Sequence, residues 1–150
     1  MCRYCYERLC LKLVYSVIRL KMIRCRTIFR GKGTGKALVS NVPISFFGGI
    51  DPNTGIVIER GHPLFGKSIK DKVLIFPSGK GSTVGSYVLL QLSKNKKAPA
   101  AIVCKEAEAI VAVGAIIGEI PMIDKPDVFD FTDGQLITVD GFNDAVVIDL

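Results

Sequence analysis

Short apolar runs alternate with turn-forming residues along most of the chain. Ala37–Ser40, Gly55–Glu59, Val73–Phe76, Ala101–Cys104, Ile110–Val113, Leu136–Val139 and Ala145–Ile148 are each four or five residues long, rich in β-branched side chains and bounded by Gly, Pro, Asn or Asp. Such runs suit a pleated, half-buried surface, and the flanking residues end them. Together with a strand opening at Ile23-Arg24-Cys25-Arg26 they predict seven or eight strands.

One segment carries the helical period. Between Thr83 and Ser93 the apolar residues Val84, Tyr87, Val88 and Leu92 recur three or four apart, and Lys94-Asn95-Lys96-Lys97 places cations where a helix dipole ends negative. A shorter helical turn is predicted over Lys105–Ala109. The order strand, helix, strand, turn, strand suggests parallel pairing, because parallel neighbours need a crossover between them. The last two strands, joined at Asp140-Gly141-Phe142-Asn143, read as an antiparallel ribbon. No repeat and no linker divides this body, so the fold class is α/β in one domain, mostly sheet with one main helix.

Composition agrees with a globular chain. Of 150 residues, 49% are hydrophobic and 23% charged, with 15 glycines for turns, which excludes disorder. The formal charge of +6 gathers before residue 37, in residues such as Arg3, Arg8, Lys12, Arg19, Lys21, Arg24 and Lys36. No basic stripe interleaved with aromatics stands beyond it and Trp is absent, so nucleic acid is not the expected partner. The apolar stretch around Leu9–Ile23 is broken by Lys12, Arg19 and Lys21, which leaves no membrane span. Five cysteines, three crowded at Cys2, Cys5 and Cys10, form no disulfide framework, so a reducing cytoplasm is expected. Those three could be metal ligands by spacing, but no second Cys or His pair completes a site. Residues 1–21 read as an extension, with Met22 as the natural start of a domain over 22–150.

Three loops concentrate possible chemistry. Gly61-His62-Pro63-Leu64-Phe65-Gly66-Lys67-Ser68 spells a phosphate-loop motif, yet that chemistry needs a helix starting at the Lys, and here Asp71-Lys72 leads into a strand. Nucleotide hydrolysis is therefore not expected. The loop Ser78-Gly79-Lys80-Gly81-Ser82-Thr83-Val84-Gly85-Ser86 does lie between a strand and a helix. Helix N-terminal amides beside Lys80 favour an anionic group such as phosphate or carboxylate, with Ser82 or Ser86 facing it. The plainer reading is that Ser82 or Thr83 only caps the helix, which leaves the clustering of glycines, Lys80 and hydroxyls unexplained. The third loop, Pro43-Ile44-Ser45-Phe46-Phe47-Gly48-Gly49-Ile50-Asp51, has two aromatics and two glycines before an acidic turn. His62, the one histidine, sits between Gly and Pro and reads as a structural loop residue. No nucleophile with its base, no carboxylate pair and no metal cluster is spelled out, so the chain reads as a half-site awaiting a partner.

Taken in order, Ile44-Ser45-Phe46-Phe47-Gly48-Gly49 with Asp51, Gly61-His62-Pro63-Leu64 with Gly66 and Ser68, and Gly79-Lys80-Gly81-Ser82-Thr83-Val84-Gly85-Ser86 closely resemble the aconitase X swivel domain. Ala109-Ile110-Val111-Ala112-Val113-Gly114-Ala115-Ile116-Ile117 and Ile120-Pro121 continue the match from about Arg24 to the C-terminus. The resemblance implies a swivelling β/β/α domain, like the small mobile domain of aconitases, that closes over a 4Fe–4S cluster carried by a large catalytic subunit. It implies Ser82 as proton acceptor in a dehydration, with Gly79, Lys80, Gly81, Thr83, Ser86, Ser45, Gly48, Gly49 and His62 around the substrate, and no metal ligand on this chain. A free-standing chain of this kind resembles the archaeal branch, whose substrate is a phosphorylated hydroxy acid, (R)-5-phosphomevalonate, dehydrated to trans-anhydromevalonate 5-phosphate in isoprenoid synthesis. Bacterial relatives acting on hydroxyprolines mark the alternative substrate class, and a non-catalytic phosphate-binding module the alternative function.

Overall fold

The structure, a computed structural model, describes residues 20–150. Cys2, Cys5, Cys10 and most of the predicted extension lie outside the described residues. Ten elements follow in chain order: β1 (Leu20–Arg24), β2 (Arg26–Phe29), β3 (Lys32–Val39), β4 (Val73–Phe76), α1 (Gly85–Lys94), β5 (Ala101–Cys104), α2 (Ala109–Ile117), β6 (Met122–Asp124), β7 (Leu136–Asp140) and β8 (Ala145–Asp149). β1 begins at Leu20, opposite Asp149, so the predicted domain boundary at Met22 falls within this strand.

The strands form one sheet in the order β1-β8-β7-β3-β4-β5-β6-β2. β3, β4, β5 and β6 run parallel to their neighbours in that series, and the remaining pairs are antiparallel. The two ends of the order, β1 and β2, are separated in sequence by Cys25 alone. At that residue the Cys25 amide donates to the Asp144 carbonyl at 3.0 Å, while the Asp127 amide reaches the Arg24 carbonyl at 2.9 Å. One bent strand thus pairs with β8 through its first half and with β6 through its second, which curls the sheet back toward itself.

That curl explains why the central strands are apolar at every position. Val73, Ile75, Ala101, Val103, Ile123, Ile137, Val139, Val146 and Ile148 pack together on the inner side. Leu74, Phe76, Ile102, Cys104 and Met122 point the other way, against Leu89 and Leu92 of α1 and Val111 and Ala115 of α2. Successive strand residues alternate between faces, so a strand with a core on each face cannot afford a polar position.

The expected α/β architecture is present, mostly sheet, but with a second helix. Ile110–Val113 is not a strand; it is the first half of α2, and Lys105–Ala109 forms no helical turn of its own but leads to the helix cap. A short apolar β-branched run fits a buried strand and a buried helix alike, so periodicity could not separate them. One local and one distant feature decide: the Glu108 carboxylate accepts from the Val111 amide at 2.8 Å as N-cap, and Gly114 lets Leu89 of α1 occupy the space its own Cβ would fill. Gly55–Glu59 makes only isolated bridges, Val57 to Ile50 and Ile56 to Ser68. The three-residue β6 was too short to be predicted. The C-terminal ribbon is as expected, with Leu136 opposite Asp149.

Candidate functional site

The C-terminal ends of parallel strands are where loops gather and where α/β sheets bind ligands. Here Val39, Phe76, Cys104 and Asp124 end β3 to β6, and the loops that follow them meet. After Phe76 the chain runs through Pro77–Val84 before α1, and this stretch is held on two sides. The Ile44 amide donates to the Ser78 carbonyl at 3.2 Å and the Lys80 amide to the Ile44 carbonyl at 3.0 Å, so residues 44 and 79 pair as a parallel bridge. On the other side a Cβ at Gly79 would come within 2.7 Å of Glu108 Oε1 and 2.5 Å of Val111 Cγ2, at the start of α2. Gly81 has φ +95, and a Cβ there would sit 2.8 Å from Ser45 Oγ. Only glycine meets both demands at position 81.

Ser82 lies in a tight turn ahead of α1. The Val84 amide donates to Ser82 Oγ at 3.2 Å, and the Gly85 amide to the Ser82 carbonyl at 2.9 Å. Val84 occupies the cap position without a side-chain bond, so the expected choice of Ser82 or Thr83 as N-cap is not what the helix uses. Ser82 and Thr83 are exposed. Among the described residues the amides of Gly81, Ser82 and Thr83 have no acceptor, and the first turn of α1 contains no acidic residue. Unsatisfied N–H groups at a helix start attract anions. Ser86 is buried, and its hydroxyl donates to the Thr83 carbonyl at 2.9 Å, so it braces the turn from within.

The opposing wall is the Ser45–Gly49 segment. Ser45 Oγ donates to the Phe47 carbonyl at 2.9 Å, and the Gly49 carbonyl accepts from the Ile58 amide at 2.8 Å and the Glu59 amide at 3.3 Å. A Cβ at Gly49 would collide with the Ser45 carbonyl, whereas Gly48, with φ +80, faces open space. His62 stands behind this wall. Its Nδ1 accepts from the Leu64 amide at 3.1 Å and its Nε2 lies 3.2 Å from the Pro43 carbonyl, so Nε2 carries the proton and both ring nitrogens are engaged in the loop. The phosphate-loop spelling around it forms turns, and residues 67–72 contain no helix. Beside the glycine loop a cavity of about 350 Å³ is lined by Phe47, Gly48, Ile58, Val84, Tyr87 and Gln91 among others.

Sequence reasoning missed three acidic residues. Glu59 Oε1 receives the Lys80 ammonium at 2.9 Å. Glu108 caps α2 and fills the space beside Gly79. Asp124, wholly buried, accepts from Arg26 and from the Ala107 amide at 2.9 Å, which fixes the loop before Glu108. Glu59 and Asp124 meet their partners only through tertiary return of the chain, whereas the Glu108 cap is local, three residues ahead of Val111, and only its place beside Gly79 is tertiary. No group of three or more His, Cys, Asp or Glu able to hold a metal occurs among the described residues. Cys25 is unsuited to ligation as it stands, its thiol pushed up to about 12 by burial and then by Asp144, Asp124, Asp127 and Asp140. Cys104 is raised as well, first by burial. A thiol held protonated is a poor nucleophile and a poor ligand. No helix among the described residues is long and apolar enough to cross a membrane.

The family model described as the aconitase X swivel domain matches residues 22–148. The chain is 61% identical over 104 residues to the phosphomevalonate dehydratase small subunit of Methanothermobacter thermautotrophicus, covering 69% of this chain and 79% of that protein. It is 57% identical over 118 residues to the protein of the same name from Thermococcus sibiricus, covering 79% and 91%. Among solved structures it resembles Thermococcus kodakaraensis aconitase X in its holo-form, with a TM-score of 0.83 and 50% identity over 85% of this chain and 98% of that one. It also resembles a UPF0107 protein solved in solution, with a TM-score of 0.75 and 45% identity over 84% and 97%. Matched along nearly all of its described length by one family model, with close relatives of the same kind, the chain belongs to the aconitase X swivel domain family.

Proposed function

We propose that this chain is the small subunit of a hydro-lyase that converts (R)-5-phosphomevalonate to trans-anhydromevalonate 5-phosphate, acting in the cytoplasm and only when joined to its large subunit. The observation that carries the reading is Ser82, exposed at the rim of a glycine loop whose free amides and neighbouring Lys80 form a cationic cradle. The shared name of the relatives supports the substrate, and the words "small subunit" in it support the partner.

In this reading Ser82 accepts the proton that leaves substrate carbon while the departing hydroxyl is removed on the large subunit. An iron–sulfur cluster held by that subunit would supply the Lewis acid for that departure. A serine alkoxide is costly in water, so the task of this chain is to make it less so. The N–H groups of Gly81, Ser82 and Thr83 and exclusion of water on closure favour negative charge in that corner, and the Lys80 ammonium adds to them once it leaves Glu59. Gly79 and Gly81 let the loop close up against Glu108 and Val111 on one side and Ser45 on the other, which fixes where Ser82 stands. Ser45, Gly48 and Gly49 form the facing wall, with His62 as its support and Ser86 bracing the turn.

The test is anaerobic co-expression with the large subunit, followed by an assay of 5-phosphomevalonate dehydration. Ser82→Ala is expected to assemble normally and lose at least about a hundredfold in kcat, the lower range for removal of a general base. Turnover retained in Ser82→Ala would remove the serine from the chemistry, and a stable complex inert on 5-phosphomevalonate would exclude that substrate.

A further inference from the structure

Lys80 and Glu59 are bound to each other beside the glycine loop. Lys80 Nζ donates to Glu59 Oε1 at 2.9 Å, and the side chains retain 48% and 30% of their exposure, so the pair is open to exchange. Glu59 is not free to drift away with its partner. Its amide and that of Ile58 are both tied to the Gly49 carbonyl, while the Lys80 amide is tied to the Ile44 carbonyl. The backbone therefore holds the two residues within reach of each other. Lys80, next in the chain to the unpaired amides of Gly81, Ser82 and Thr83, is thus already matched by one carboxylate.

We infer that Glu59 is a specificity-determining residue: it acts as a built-in carboxylate competitor for Lys80, so that the loop admits a doubly charged phosphate group and rejects a ligand whose anionic part is a single carboxylate. The inference rests on the reading of the glycine loop as the part of the site that holds the substrate's anionic group. The physics is an exchange. A monocarboxylate would replace Glu59 by its chemical equal, gaining little and leaving Glu59 unpaired beside it. A phosphate group carries roughly −1.5 to −2 at neutral pH and presents three acceptor oxygens, so it can engage Lys80 and several amides together. The exposure of the pair keeps the barrier low, since a partly solvated ion pair is weak and readily exchanged. Nothing in the local sequence marks Glu59 for this role.

The experiment follows the amide resonances of Gly81, Ser82 and Thr83 in the full chain by NMR, titrated with inorganic phosphate or with acetate at constant ionic strength. In wild type, phosphate is expected to shift these resonances and acetate to leave them in place. In Glu59→Gln, acetate is expected to shift them too, and phosphate to reach its midpoint at a concentration roughly two- to fivefold lower, the equivalent of removing one partly exposed ion pair. Lys80→Gln combined with Glu59→Gln should show no such gain. In the assembled enzyme, Glu59→Gln should narrow the kcat/KM preference for the phosphorylated hydroxy acid over its unphosphorylated counterpart, through KM rather than kcat. A wild-type loop indifferent to both anions, or a Glu59→Gln chain that titrates like wild type, overturns the inference. The titrations need no turnover: a Ser82→Ala enzyme that stays active while they behave as expected would remove Ser82 as the base and leave the selectivity of Glu59 standing.

Discussion

Arg26 and Asp124 form a two-pronged ion pair across the β2–β6 edge, with Nε 2.8 Å from Oδ1 and Nη2 2.7 Å from Oδ2. The pair is asymmetric, for the Asp124 side chain is wholly buried while that of Arg26 keeps 53% of its exposure. The hydrogen bond to Asp124, followed by its charge, raises the Arg26 pKa further, so the guanidinium stays charged at all working pH. Asp124 Oδ2 also accepts from the Ala107 amide, which joins the strand closing the sheet to the loop that positions Glu108 and Gly79.

Asp124→Asn preserves the shape of that junction and removes its charge. It leaves one Arg26 bond without an acceptor and replaces a charge-assisted pair by a neutral one, so the chain should lose about 2–3 kcal/mol, below the range for a fully buried partner because Arg26 reaches water. Urea denaturation of the two chains measures it. A midpoint equal to wild type would mean that the ion pair contributes nothing net.

Gly81→Ala tests the shape of the glycine loop. An alanine at φ +95 is strained, and its Cβ would press on Ser45 Oγ, which has to leave the Phe47 carbonyl to make room. Thermal unfolding should register a loss of about 1–2 kcal/mol. Phosphate affinity, read from the amides of Ser82 and Thr83, should fall about tenfold, or ~1.4 kcal/mol. Unaltered phosphate binding with normal stability would show that the loop tolerates a side chain there.

The thiol of Cys25 gives a pH signature. Its pKa rises from the ordinary thiol value of 9.0 to about 12 in the folded chain, chiefly through burial. A folded pKa above the unfolded one means that the contribution to stability is complete below about pH 9 and is lost as pH rises toward about 12. Stability measured from pH 8 to pH 11 should therefore decline, and the decline should be smaller in Cys25→Ala. Iodoacetamide at pH 8 should modify Cys25 far more slowly in the folded chain than in urea. Equal rates in the two states would contradict the protected thiol.

Local propensity, breakers and backbone permissiveness are encoded within a few residues, so the wholly apolar central strands, a helix expected over 83–93 and found at 85–94, the C-terminal ribbon and the three glycine-bearing loops were legible along the chain. Ile110–Val113 marks the limit of that information. Its residues suit a strand or a helix equally, and what chose the helix was the Glu108 cap together with Leu89 packing into the space left by Gly114, more than twenty positions away. The same holds for the candidate site. Gly79, Lys80, Gly81 and Ser82 are legible as a loop between strand and helix, and the order of motifs along the chain carried the family resemblance. That Ser45 stands against Gly81, that Lys80 is met by Glu59, and that both nitrogens of His62 are already engaged were decided only when β1 and β2 drew the sheet back on itself and the loop ends of β3, β4 and β5 came together. Charge pairing and close backbone approach act over a few ångströms of space, and no local pattern in a chain records which distant residues that space will contain.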